Sequence, residues 1–168
     1  QQMQQSLLPQ SLPSSPRYDI AACSIPAYEV GGDYYDVQDV GPSKLGMVVG
    51  DVSGKGVSAA LYMAQVKGIF QTLSSHGLST RESLVAMNET LRKSMDRRSF
   101  ISLVYGVLDM RTGRLRFSRA GHCPLLYISR TSVRFLRPDG MGLGLSGAGQ
   151  FAASLQEEEL ALEPGDLV

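Results

Sequence analysis

The chain has 168 residues and a mass of 18.2 kDa, and its 43% hydrophobic residues are enough to fill one core, which excludes default disorder. Sixteen basic and sixteen acidic groups cancel, so a whole-molecule attraction to nucleic acid or anionic lipid is excluded. The longest uncharged stretch, residues 140–156, is broken by five glycines and does not read as a membrane-inserted helix.

In chain order, residues 1–8 read as the tail of a helix, and Pro9 and Pro13 make residues 9–16 a linker. Residues 18–27 (YDIAACSIPA) read as a strand, and GGDYYDVQDVG, from Gly31, as a glycine turn entering a second strand. The apolar run at 45–49 predicts a buried strand ending at Asp51. The period then changes to three and four, predicting an amphipathic helix over 56–75. Ser79 and Glu82 fit a capping box, opening a second helix whose apolar stripe is Leu84, Met87, Leu91 and Met95. Residues 100–121 read as a hairpin turning at Arg111, Thr112 and Gly113, followed by short strands in PLLYISR and VRFLRP. FAASLQEEELALEPGDLV reads as a strand, an acidic strand and a turn at Pro164, Gly165 and Asp166. Strands, then two helices, then strands predict an α+β layered domain.

Charge is unevenly spread. Residues 1–89, 90–140 and 141–168 carry −3, +8 and −5, and Glu29, Asp33, Asp36, Asp39 and Asp51 crowd into the first segment. Such a distribution fits metal binding near an anionic substrate, and it equally fits ordinary surface charge. Two cysteines, Cys23 and Cys123, are too few for a disulfide framework, so buried thiols in a cytoplasmic protein are expected.

The strongest local signal is GDVSGKG at 50–56, at a strand end and a helix start. It is not a phosphate-binding P-loop, because three residues rather than four precede its Gly-Lys and Gly56 replaces the Ser or Thr. Nor is it a nucleophile elbow, since neither Ser53 nor Ser58 is flanked by glycines on both sides. What remains is a carboxylate in a turn that lets other backbone approach, suited to a hard metal ion. Asp33, in its own glycine turn, supplies a second carboxylate that meets Asp51 if the two strands are neighbours. From spacing alone two readings stand, a divalent-metal pair or two aspartates that cap turns. His122, in AGHCP, lacks the partners of a zinc site, and adjacent His122 and Cys123 would point to opposite faces of a strand, which leaves a loop-shaping role.

Taken in order, Leu7-Leu8-Pro9 with Leu12-Pro13, GGDYYD, GDVSGKGVSAAL, AGHCPLL and EPGDLV make the chain resemble the SpoIIE-type serine phosphatases. These are the bacterial branch of the metal-dependent type 2C protein phosphatases. The resemblance implies a four-layer α-β-β-α sandwich of two antiparallel sheets flanked by helices, with two or more Mn²⁺ or Mg²⁺ ions at its end. Asp33 and Asp51 match the metal-binding aspartates, Val52 contributes its backbone carbonyl, and Asp36 is a weaker ligand candidate. Gly32, Gly54 and His122 are expected to shape the substrate loop.

The activity implied is hydrolysis of phosphoserine or phosphothreonine by metal-activated water. The substrate class implied is a phosphorylated anti-anti-sigma-like protein. Residues 1–16 become the helix end and linker to an upstream sensor or receiver domain, often also a homodimer contact, and residues 17–168 the catalytic domain. In the family the last strand runs on into a Thr-Asp-Gly motif and a later aspartate, both metal ligands. The residues here stop before either, so the fold is expected to be C-terminally incomplete. That departure keeps open an alternative, a catalytically inactive binding or switch module of a partner-switching pathway.

Overall fold

Side chains alternating with period two produce the sheets, and the apolar stripe with period 3.6 produces the helices that cover one of them. The structure is a computed structural model describing residues 7–25, 31–96 and 98–168. Its elements are β1 (Asp33–Gly41), β2 (Lys44–Val52), α1 (Val57–Ser74), α2 (Thr80–Leu91), β3 (Ile101–Asp109), β4 (Arg114–Ala120), β5 (Leu125–Ile128), β6 (Val133–Leu136), α3 (Ala148–Ser154) and β7 (Glu157–Ala161). The larger sheet has the order β1-β2-β3-β4-β7, and β5 pairs with β6 in the smaller one; every pairing is antiparallel. The expected α+β architecture of two antiparallel sheets flanked by helices is therefore what the sequence folds into.

One face of the larger sheet presents Tyr34, Val48, Val52, Leu103 and Tyr105 to Met63, Val66 and Phe70 of α1, Leu84, Met87 and Leu91 of α2, and Phe151 of α3. Each of these large side chains, removed from water, contributes roughly 1.5–3 kcal/mol before ordering entropy is subtracted. The opposite face carries a smaller cluster, Leu115, Phe117, Tyr127 and Leu136 with Met47 and Leu108, which seats β5 and β6. Ser79 caps α2 as expected: its hydroxyl accepts the Glu82 amide at 3.1 Å and Glu82 returns to the Ser79 amide at 2.9 Å.

Several expectations are corrected. Cys23 and Cys123, expected as buried thiols, are both exposed, because neither lies on a core-facing element. Residues 18–25 form no strand beyond a single Ser15–Tyr18 bridge, and residues 26 and 27 lie outside the described residues. The stretch has strand-forming side chains but pairs with no strand of either sheet, and Ile25 stays 83% exposed. FAAS is the end of a helix, α3, in which only Phe151 is buried, so no two-residue alternation exists to make a strand. Met95 lies past the end of α2, although it still packs on the core. Of the helix tail expected at 1–8, residues 1–6 lie outside the described residues. Leu7 and Leu8 are non-helical and pack against the main cluster, and Lys67 donates to the Leu7 carbonyl.

Candidate metal centre

The register of β1, β2 and β3 places Asp33 opposite Asp51 and Asp51 opposite Ser102. Because Val48 and Val52 face the helices, Asp51 and its cross-strand partners lie on the other face, at the end of the sheet. The next strand completes the row. β4 ends at Ala120, Gly121 turns the chain, and the His122 imidazole meets the Ser102 hydroxyl with Nδ1 2.8 Å from Oγ. Arg119 fixes that turn by donating to the carbonyls of His122 at 2.7 Å and Pro138 at 3.1 Å.

Gly32 governs how closely the oxygens gather. The Val52 amide donates to the Gly32 carbonyl at 3.2 Å. A β-carbon on Gly32 would lie 2.4 Å from the Val52 carbonyl oxygen and 2.7 Å from Asp51 Oδ1, so both oxygens converge on the space a side chain would fill. Gly54 acts differently. Nothing lies near its missing side chain, but its φ of +96° is what lets β2 hand over to α1. Between them Ser53 ties the turn to the start of β3, its amide donating to the Phe100 carbonyl at 2.9 Å and its hydroxyl accepting the Phe100 amide at 2.8 Å.

The electrostatics follow from this crowding. Partial desolvation and then the charge of Asp33 push the Asp51 carboxyl above its ordinary range, against a smaller opposing pull from His122. Burial pushes the His122 imidazole below its ordinary value, with Asp51 pulling the other way and Arg119 adding to the depression. Two like charges held side by side are an arrangement that a cation relieves. Two carboxylates and a main-chain carbonyl are hard oxygen donors, and they fit Mg²⁺ or Mn²⁺ better than a softer metal. Among the described residues no group of three or more His, Cys, Asp or Glu side chains gathers closely enough to hold an ion, so the carboxylates here are a pair.

Asp36 does not join them. It is 6% exposed on the helix-facing side of β1, where Tyr34 donates its hydroxyl at 3.0 Å and the Val37 amide donates at 2.9 Å. The three-residue step from Asp33 reverses the face, a signal already present in the alternation. Ser102 and Arg119 carried no mark in the sequence, because their roles depend on strand register. Beside the centre opens a cleft of about 510 Å³ lined by Ser53, Gly54, Asp96, Arg98 and Ser99.

Residues 41–168 match the family described as Stage II sporulation protein E (SpoIIE). The chain is 31% identical over 169 residues to the phosphoserine phosphatase RsbU of Bacillus subtilis, covering 99% of this chain and 49% of that protein. It thus spans about half the length of that relative. Among solved structures, the RsbU and RsbW domains of a Mycobacterium tuberculosis protein match with a TM-score of 0.70 at 29% identity, over 83% of this chain and 38% of that one. The phosphatase domain of the Bacillus subtilis cell-fate determinant SpoIIE, solved with a fragment of its regulatory domain, matches with a TM-score of 0.69 at 17% identity, over 82% and 40%. This last likeness is one of fold alone.

Proposed function

The chain belongs to the SpoIIE family, and on that premise we propose that it is the catalytic domain of a metal-dependent protein serine/threonine phosphatase. The observation that carries the reading is the in-register pair Asp33 and Asp51 with the Val52 carbonyl beside them, gathered over Gly32. The similarity to the phosphoserine phosphatase RsbU supports the same chemistry. The substrate proposed is a phosphorylated anti-anti-sigma-like protein, a proposal supported by the likeness to a structure that joins RsbU and RsbW domains. An upstream sensor or receiver domain joined through residues 1–16, a homodimer contact there, and a cytoplasmic location belong to the same proposal. Among the described residues no helix is long and apolar enough to cross a membrane.

Asp33, Asp51 and the Val52 carbonyl are the residues that would hold Mn²⁺ or Mg²⁺, two or more ions in all. Divalent ions held there would supply Lewis acidity for hydrolysis by water and a charge to offset negative phosphoryl oxygens. The chain's own part is positioning. The paired strands fix the separation of the two carboxylates, and the absence of a side chain at Gly32 leaves room for both oxygens. Ser102 and Arg119 hold the His122 imidazole at the edge of the site, where burial favours its neutral form. A second reading, a binding module without turnover, is favoured by one observation only, that the described carboxylates form a pair and not a larger cluster.

Mn²⁺-dependent phosphate release from a phosphoserine protein, measured beside Asp51→Asn, separates the two. The phosphatase reading expects release that falls at least about a hundredfold in the variant. Phosphoprotein binding without release by either protein would select the binding module.

A further inference from the structure

We propose that the cleft beside the aspartate pair is a substrate subsite in which Arg98 recognises a carboxylate side chain flanking the phosphoserine. The inference rests on the reading of Asp33, Asp51 and Val52 as the phosphoserine centre. Two of the residues lining the cleft, Ser53 and Gly54, follow Asp51 and Val52 directly. Three residues of chain span at most about 10 Å, so a group bound in the cleft belongs to a residue within a few positions of the phosphoserine. Ser99 of the opposite wall directly precedes Phe100, which two hydrogen bonds hold to Ser53. Subsite and centre therefore keep a fixed spacing.

The cleft pairs one carboxylate, whose oxygens are already hydrogen-bonded, with one guanidinium whose donors are what an anion would engage. Both oxygens of the Asp96 carboxylate are occupied: Oδ1 accepts the amides of Arg98 at 2.8 Å and Ser99 at 2.9 Å, and Oδ2 accepts the hydroxyls of Ser99 at 2.9 Å and of Tyr62 in α1 at 3.4 Å. Arg98 contributes only its main-chain amide to that network. The ion pairs among the described residues join Arg111 to Asp109 and both Arg114 and Arg116 to Glu159, and Arg98 takes part in none. Arg98 is exposed and lines the cleft, and among the described residues no ion pair engages its guanidinium, a planar fork of donors. With the phosphoryl group held at the aspartate pair, the partner that matches this fork is a Glu or Asp side chain, which accepts two parallel hydrogen bonds.

The test measures binding, independently of turnover. Phosphoserine peptides carrying the non-hydrolysable methylene phosphonate analogue, flanked by Glu or by Gln, are titrated by fluorescence anisotropy in Mn²⁺. The Glu-flanked peptide is expected to bind about tenfold more tightly, as one charge-assisted pair implies. Arg98→Ala reduces that ratio to less than about twofold by weakening the Glu-flanked peptide alone, Arg98→Lys keeps part of it, and Arg98→Glu favours a Lys-flanked peptide. The proposal is overturned if the ratio persists in Arg98→Ala, if the wild-type chain shows none, or if Arg98→Ala weakens both peptides equally. Peptides without the phosphonate serve as the separate control. If they bind as well as those with it, the phosphoserine reading of the centre is what fails.

Discussion

The two faces of the five-stranded sheet carry opposite arrangements of charge. On the helix side, Asp36 is buried with a donor on each oxygen, and the residues around it are apolar and closed to water. On the other side, at the end of the same strand, the exposed Asp33 faces the exposed Asp51 with the partly buried His122 beside them, and Val49 on that face remains 51% exposed. The difference separates a carboxylate that serves the fold from a pair that the fold tolerates. A buried acid with both oxygens hydrogen-bonded serves its strand, whereas two exposed carboxylates set side by side are the arrangement that the proposed cation site would use.

The sharpest way to break this comparison is at Gly32. Gly32→Ala puts a β-carbon within 2.4 Å of the Val52 carbonyl oxygen and 2.7 Å of Asp51 Oδ1. Forced overpacking of this kind costs about 1–3 kcal/mol, and because the displaced atoms are the proposed ligands, phosphate release is expected to fall by more than tenfold. A denaturation curve and a phosphate-release assay check both, and calorimetric Mn²⁺ titration reads the ligands directly. A variant with unchanged Mn²⁺ affinity would remove Gly32 from the site.

Asp36→Ala probes the other face. It leaves the Tyr34 hydroxyl buried without its acceptor, an expected loss of about 1–3 kcal/mol, or roughly 3–10 °C in melting temperature for a domain of this size. The Mn²⁺ affinity should stay at the wild-type value. A drop in that affinity would return Asp36 to the list of ligands.

The smallest effect is in the pH dependence of the metal-free protein. The Asp51 carboxyl is raised in the folded state, so the fold binds its proton more readily than the unfolded chain does. That contribution to stability is present below the ordinary carboxylate range and is lost as pH rises through the raised value. Asp51→Asn should therefore flatten the curve and gain about 0.2–1 kcal/mol near neutral pH, the size of one like-charge pair across a sheet at a solvent-exposed position.

Much of this layout is legible in the amino-acid sequence, for physical reasons that vary along it. The helix over 57–74, the capped helix after Ser79 and the hairpin around Arg111 each have enough residues for their period to declare itself. FAAS is too short for either period, and only the burial of Phe151 decides it. Residues 18–25 look like a strand because side-chain type shows propensity but not whether a sheet edge is available. Asp33 and Asp51 are visible because each directly follows glycine in the sequence, and their meeting follows from the register of β1 on β2. Ser102, Arg119 and Arg98 are not visible, since what each does depends on which strand or turn lies next to it.

The central claim, that Asp33, Asp51 and the Val52 carbonyl form a cation site that strains the metal-free fold, is tested most directly by thermal melts of the wild-type chain and Asp51→Asn at neutral pH, with and without Mn²⁺. The wild-type protein is expected to gain about 5 °C or more when Mn²⁺ is a hundredfold above its dissociation constant. Asp51→Asn is expected to start slightly higher without metal and to lose most of that gain. An equal Mn²⁺-dependent rise in both proteins would contradict the claim.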